Sequence, residues 1–240
     1  MSETLYITGA GVSAESGIPT FRGRDGYWTI GSVNYTPQEM ATRHMYRSNP
    51  VEFLSWYYHR FATYRNHGPN EVHHWLADKR LITQNIDGLD GKAGNKDYIA
   101  IHGRLDEMTL YHEQGDPVPR LKTPWDDVDE SQLADSLMQL FRIENQRPEL
   151  YQSYKPFVLL FDEFYTDLYR MTEAEDWMMQ ANKIIFMGTS FSVNITQIAL
   201  SIAMSKQIPV EIVDPEPVKI DYPLITYHQM TALKYIQEVD

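Results

Sequence analysis

Near its N-terminus the chain runs Leu5-Tyr6-Ile7 straight into Gly9-Ala10-Gly11, and a helix start follows at Ser13 to Ser16. Strand, glycine turn, helix is the order that aims backbone N–H groups at a phosphate. Gly9 and Gly11 allow a backbone approach that a side chain would prevent. The alternative for a lone G-x-G is a surface turn, which leaves Pro19, Phe21, Arg22 and Gly23 without a role. Further on, polar residues end one apolar run after another: Thr8-Gly9, Thr83-Gln84-Asn85, His102-Gly103, Gly188-Thr189-Ser190 and Asp214. Among these, His102 is the only histidine that closes an apolar run ahead of a glycine. A neutral imidazole titrates near working pH and can act there as a general base. His73 and His74 are adjacent, diverge around a helix, and read as structural.

Such residues can meet only if the runs before them are strands of one sheet. The runs at 80–83, 98–102, 157–161, 183–190, 209–214 and 224–228 are continuously apolar in several cases, as strands covered on both faces are. Helical patterns intervene at 131–146, 172–181, 194–206 and 229–239. Alternating strands and helices predict an α/β fold: a Rossmann-type, doubly wound parallel sheet whose ligand lies beyond the strands' carboxyl ends. A further helix opens at Pro50, with Ser48 or Asn49 as cap, and carries Phe53, Trp56, Tyr57, Arg60, Phe61 and Tyr64 at three- and four-residue spacing. Residues 24–36 read as a mobile loop rich in Gly, Asn and Ser. Residues 104–155 are polar and acidic, and read as a loop followed by one amphipathic helix with Leu133, Leu137, Leu140 and Phe141. The predicted division is a nucleotide-binding domain of 1–23, 80–103 and 156–240, and a smaller lobe of 24–79 and 104–155.

Composition bounds the partners. At 240 residues and 42% hydrophobic content the chain can bury one substantial core. No apolar run approaches the roughly 20 residues that cross a bilayer, and MSETLYIT lacks the basic start of a signal peptide. A cytoplasmic protein with no membrane partner is expected. A net charge of −12 argues against binding nucleic acid through its phosphates and favours approach of lysine-rich segments. The chain has no cysteine, so disulfides and thiolate metal sites are excluded.

The block GAGVSAESGIPTFRG (9–23) resembles the opening signature of the sirtuin (Sir2) family of NAD-dependent protein deacylases. TQNIDGLD (83–90) and IHG (101–103) resemble its second and third signatures, GTSFSV (188–193) its late phosphate- and ribose-contacting loop, and KPFVLLFDE (155–163) its substrate-pairing strand. Together these blocks cover most of the large domain. The resemblance implies transfer of an acyl group (acetyl, with succinyl as a further candidate) from a protein or peptide lysine to ADP-ribose, consuming NAD and releasing nicotinamide. It implies His102 as base and Asn85 as its catalytic companion. It implies a cofactor site of Gly9, Ala10, Gly11, Ser16, Phe21, Arg22, Gln84, Asn85, Asp87, Gly188, Thr189, Ser190 and Asp214. Asp87 would accept from the nicotinamide amide, Phe21 and Arg22 would close over that end, and Ser190 would touch phosphate or ribose. Asp214 stands where relatives commonly carry Asn; its carboxylate would take ribose hydroxyls and repel a 2′-phosphate. Phe161 and Val193 would line the substrate.

Three departures stand out. The four zinc cysteines of the family are missing, and His112 alone cannot hold a structural zinc, so no metal is expected and packing around Trp125 and the 133–141 face must hold the small lobe. Asp90 occupies the place of a histidine, and Asp162 the place of a glycine. Tyr57 and Arg60 match a Tyr-x-x-R pair that some sirtuins use on a succinyl carboxylate; the other reading is a core tyrosine beside an exposed arginine. Two rival functions stay open on this scaffold: an NAD hydrolase or ADP-ribosyltransferase, and a non-catalytic NAD or ADP-ribose sensor.

Overall fold

In the computed structural model, residues 3–20 and 35–239 are described. Phe21, Arg22 and residues 24–34 of the predicted loop lie outside them. In chain order the strands are β1 (Thr4–Thr8), β2 (Arg80–Thr83), β3 (Ile99–Ala100), β4 (Gly103–Leu110), β5 (Arg120–Lys122), β6 (Tyr154–Val158), β7 (Lys183–Met187), β8 (Val210–Val213) and β9 (Ile225–His228). The helices are α1 (Pro37–Met40), α2 (Arg43–Ser48), α3 (Pro50–Tyr64), α4 (Glu71–Trp75), α5 (Leu89–Lys92), α6 (Leu133–Leu140), α7 (Met171–Gln180), α8 (Asn194–Lys206) and α9 (Ala232–Val239).

Leu5, Ile7, Leu81, Ile82, Ile184, Phe186, Val210 and Ile212 are all buried, because helices cover both faces of the sheet they build. That sheet is parallel throughout, in the order β3-β2-β1-β7-β8-β9. One core packs it against α7 and α8 through Met178, Ile195 and Ala199; the other packs Leu81, Ile185 and Val213 against Leu76 and Ile236. The chain leaves β1 toward β2 and β3 and later returns to β7 on β1's other side. This reversal makes the carboxyl ends of β1 and β7 the sheet's topological switch point, the place where doubly wound sheets bind ligands.

A second, antiparallel sheet runs β5-β4-β6. It corrects two expectations. The strand read at 157–161 is β6, Tyr154–Val158, and pairs with β4 rather than joining the large sheet. The stretch read as a loop after residue 104 contains β4 itself. A register shift between Arg104 and Met108 breaks the alternation that would have announced the strand. The helix read over 131–146 is shorter: α6 ends at Leu140, and Arg142, Asn145 and Gln146 adopt left-handed backbone. The turn after β1 is a 3₁₀ helix, Ala10–Ser16, not an α-helix. By contrast α8 covers the same residues as expected, and Asn49 caps α3 by accepting from the Glu52 N–H at 3.3 Å.

The small lobe packs around Trp125, which is 1% exposed. Its indole N–H donates to the Leu105 carbonyl at 2.7 Å, and its ring stacks on Phe61 and tilts against Phe141. A buried ion network ties this lobe to the turn after β6. Lys155 donates to Glu163 at 3.1 Å and to the Val158 carbonyl at 2.9 Å, while Arg43 reaches Glu163 at 3.0 Å. Asp162 accepts from the N–H groups of Arg43 and His44, at 2.7 and 3.1 Å. A carboxylate at the start of α2 satisfies donors the helix cannot pair itself, which accounts for an Asp in place of the family's glycine. Among the described residues no helix is long and apolar enough to cross a membrane.

Candidate active site

Gly9 and Gly11 sit at this switch point because two turns touch there. The Gly9 N–H donates to Met187 O at 3.0 Å and the Gly11 N–H to Gly188 O at 2.9 Å. A Cβ on Gly11 would lie 2.5 Å from the Gly188 Cα, and Gly188 has φ +60°. The two glycines therefore close β1 onto β7, and their N–H groups serve that contact rather than facing a ligand. Ala10 lies between them.

Gln84 and Asn85, just past β2, cross to the same point. Gln84 Nε2 donates to Thr8 O at 3.0 Å and to Thr189 Oγ1 at 3.2 Å. Asn85 Nδ2 donates to Gly9 O and to Ser13 Oγ, both at 3.1 Å. The Ser13 hydroxyl in turn donates to Asp87 Oδ2 at 2.7 Å, and Asp87 Oδ1 accepts the Leu89 N–H at 2.9 Å. Burial raises the Asp87 pKa, and these two donors hold it partly back.

Behind Ser13 stands His73, buried completely, with Nε2 at 3.4 Å from Ser13 Oγ. Its Nδ1 accepts the Asn70 N–H at 3.2 Å, so the proton resides on Nε2 and faces the serine. Burial, then the neighbouring His74, pushes its pKa down to about 4. The structural role expected for His73 is thus specific: it orients the serine that orients Asn85 and Asp87. Ser13, His73 and Asn70 are absent from the predicted site. Ser13 lay inside the quoted block, but nothing local in sequence connects His73 to it, 60 residues away.

His102 follows β3, its Nδ1 3.0 Å from Gln84 O. The ring keeps an exposed edge, yet the protein around it is dense enough that burial holds its pKa down to about 4, against the Gln84 carbonyl, which favours the charged form. It is a neutral imidazole at working pH. Its Nε2 lies 3.0 Å from the Tyr165 hydroxyl, a residue that the sequence patterns did not single out.

The remaining predicted residues divide. Thr189 is buried against Gln84, while Ser190 is a more open residue whose hydroxyl pairs with Ser192 at 2.8 Å. Asp214 ends β8 and accepts the Glu216 N–H at 2.8 Å. The Ser16 hydroxyl accepts from Asn70 Nδ2 at 3.0 Å, on the side of the 3₁₀ turn that faces α4. Tyr57 and Arg60 are both buried in the small lobe; Tyr57 packs on Phe53 and Trp56. The Arg60 guanidinium lies over the Trp56 ring and donates to the Trp56 carbonyl at 3.0 Å. Arg60 is thus not the exposed arginine that the second reading of the pair required. Phe161 is 48% exposed, and Val193 packs at the edge of the large core just before α8.

Asp90 is 1% exposed with one carboxylate oxygen lacking a partner. Burial, then the Asp87 charge, lifts its pKa to about 7. Among the described residues no group of His, Asp or Glu could hold a metal ion.

A Sir2 family profile matches residues 9–195. The chain is 29% identical over 245 residues to NAD-dependent protein deacylase 1 of Caldanaerobacter subterraneus subsp. tengcongensis, covering 99% of this chain and 92% of that one. With NAD-dependent protein deacylase 1 of Archaeoglobus fulgidus it shares 43% identity over 115 residues, 44% of this chain and 45% of the relative. A solved complex of a Sir2 homologue with NAD superposes with a TM-score of 0.74 at 26% identity, covering 99% of this chain and 88% of that one.

Proposed function

The chain belongs to the Sir2 family, and from that premise we propose that it is an NAD-dependent protein-lysine deacylase acting on acylated protein or peptide lysines. The observation that carries the proposal is the gathering of Gln84, Asn85, Asp87 and His102 at the carboxyl ends of the strands beside β1, with His102 neutral and anchored through Nδ1. The relatives named above as NAD-dependent deacylases and the NAD-bound homologue support it.

The donor set suits the dinucleotide. Asp87 offers an acceptor for a carboxamide N–H, Ser190 and Thr189 offer hydroxyls, and Asp214 offers a carboxylate for ribose hydroxyls, which favours NAD over its 2′-phosphate. When bound, NAD supplies a carbon activated by its bond to nicotinamide. Gly9, Ala10, Gly11, Ser16, Phe21, Arg22 and Gly188 belong to the proposed NAD site with these residues. The Ser13 relay holds the Asp87 carboxylate and Asn85 amide in place before substrate arrives, and His102 Nε2 takes a proton from a hydroxyl presented to it. Phe161 and Val193 flank the proposed acyl-lysine path.

Three finer points belong to the same proposal. The proposed division is an NAD-binding domain of 1–23, 80–103 and 156–240 with the rest as the smaller lobe; separate cores support two lobes, while Val158 and Leu160 pack in the core around Trp125 and carry the last boundary past residue 160. The small lobe needs no zinc, since the chain has no thiolate and Trp125 fills its centre. The setting is cytoplasmic, which fractionation of the producing cells would test.

The test is incubation with NAD, with and without acetyl- and succinyl-lysine peptides, and mass spectrometry of the products. Nicotinamide and O-acyl-ADP-ribose in peptide-dependent, equal amounts are expected. Peptide-independent ADP-ribose would instead mark an NAD hydrolase, and binding without turnover a sensor. His102→Ala should lose at least roughly a hundredfold in turnover while still binding NAD.

A further inference from the structure

Tyr165 lies between the Glu163 turn and the 3₁₀ turn Asp167–Tyr169, at the edge of the large core. Its ring and that of His102 are inclined by 25° with centroids 5.9 Å apart. The tautomer of His102 follows from its other nitrogen. Gln84 O, 3.0 Å from Nδ1, can only accept, so Nδ1 carries the proton and Nε2 the lone pair. The Tyr165 O–H, 3.0 Å from Nε2, therefore donates to it. The same phenol oxygen interacts with the Ile195 N–H in the first turn of α8. Burial lifts the Tyr165 pKa to about 12, so it remains a donor at every working pH. The one atom of His102 able to take a substrate proton is thus already in use.

Resting on the deacylase reading above, we propose that Tyr165 is a positioning residue for His102: its O–H holds the Nε2 lone pair in place, and the hydroxyl to be deprotonated replaces it there. The proton balance is simple. The incoming hydroxyl gives its proton to Nε2, Nδ1–H stays on Gln84, and the phenol keeps its own proton throughout.

Among the described residues, the charged groups on the segments that carry His102 and Tyr165 are engaged elsewhere. Arg104, following Gly103 on β4, pairs with Asp106 and Glu107. On the segment leading to Tyr165, Asp162 accepts from the start of α2, and Glu163 pairs with Lys155 and Arg43. Among the described residues no charged side chain contributes to the depression at His102, which is due to burial. Tyr165 is thus the group whose removal should move this titration.

Tyr165→Phe keeps the ring and removes the donor. A donor to Nε2 favours the neutral imidazole, so its loss should raise the His102 pKa, read by ¹⁵N-histidine NMR, by roughly half to one unit. The acid limb of kcat/KM for acyl-lysine turnover should rise with it, and the alkaline plateau should stay within about twofold. Tyr165→Leu, which also loses the ring, should show the same titration shift and serves if the first variant is poorly folded. An unchanged His102 titration in a folded variant would overturn the proposal. So would a hundredfold loss at every pH in Tyr165→Phe, which would make the phenol itself the proton carrier. A wild type that turns over no acyl-lysine would refute the activity alone, and the NMR titration would still decide the role of Tyr165.

Discussion

At Asp90 a carboxylate is shut away from water beside a second one, Asp87, and the densely surrounded histidines His73 and His102 present the opposite problem. Each histidine falls from 6.5 to about 4, so the unfolded chain binds the extra protons and stability drops as pH falls from 6.5 toward 4. Asp90 rises from 3.8 to about 7, so the folded state holds the extra proton and stability drops as pH rises through that window. Asp90→Asn should therefore stabilise by about 1–2 kcal/mol at pH 8 and little or not at all at pH 5. Urea denaturation at the two pH values checks this; equal effects at both would contradict it. Arg60 belongs to the same scale. If its buried guanidinium serves an acid-tipped acyl chain, Arg60→Met should lower desuccinylation by roughly 10- to 200-fold, about 1.5–3 kcal/mol for one charged hydrogen bond, with far less effect on deacetylation. Peptide assays with both acyl groups decide it, and equal losses would make Arg60 a packing residue.

Among elements, the turns after β1 and β7 meet backbone against backbone. Gly11→Ala would place a methyl 2.5 Å from the Gly188 Cα, backbone against backbone, where no side chain can swing aside. The turns would have to part, so overpacking of about 1–3 kcal/mol is expected, together with weakened NAD binding by calorimetry. An alanine variant with wild-type melting and affinity would show that the contact is looser than drawn. The same contact explains why the G-x-G was legible while its role was not. Spacing announced a close approach at Gly9 and Gly11, but the thing approached is Gly188, 177 positions beyond Gly11 in sequence.

At the scale of the whole molecule, two lobes are held by different means. The large one has a parallel sheet sandwiched between helices; the small one has α3, α6 and β4 packed around Trp125 and is braced by the Lys155–Glu163–Arg43 network. If packing alone sustains the small lobe, purified protein should carry no stoichiometric zinc and chelators should leave its melting temperature unchanged. Elemental analysis finding one tightly held zinc per chain would refute this.

Local pattern in the sequence determined the parallel sheet, the limits of α8 and β2, the capping of α3 and the convergence of strand-ending polar residues, because period and caps are properties of neighbouring residues. Tertiary structure alone decided the rest. It moved residues 154–158 into a second sheet, since pairing depends on a partner strand hidden by an irregular register. It joined His73 to Ser13 and Tyr165 to His102, contacts across 60 and 63 positions. It also set the protonation of Asp90, His73 and His102, because burial is a property of the folded surroundings and of no residue by itself.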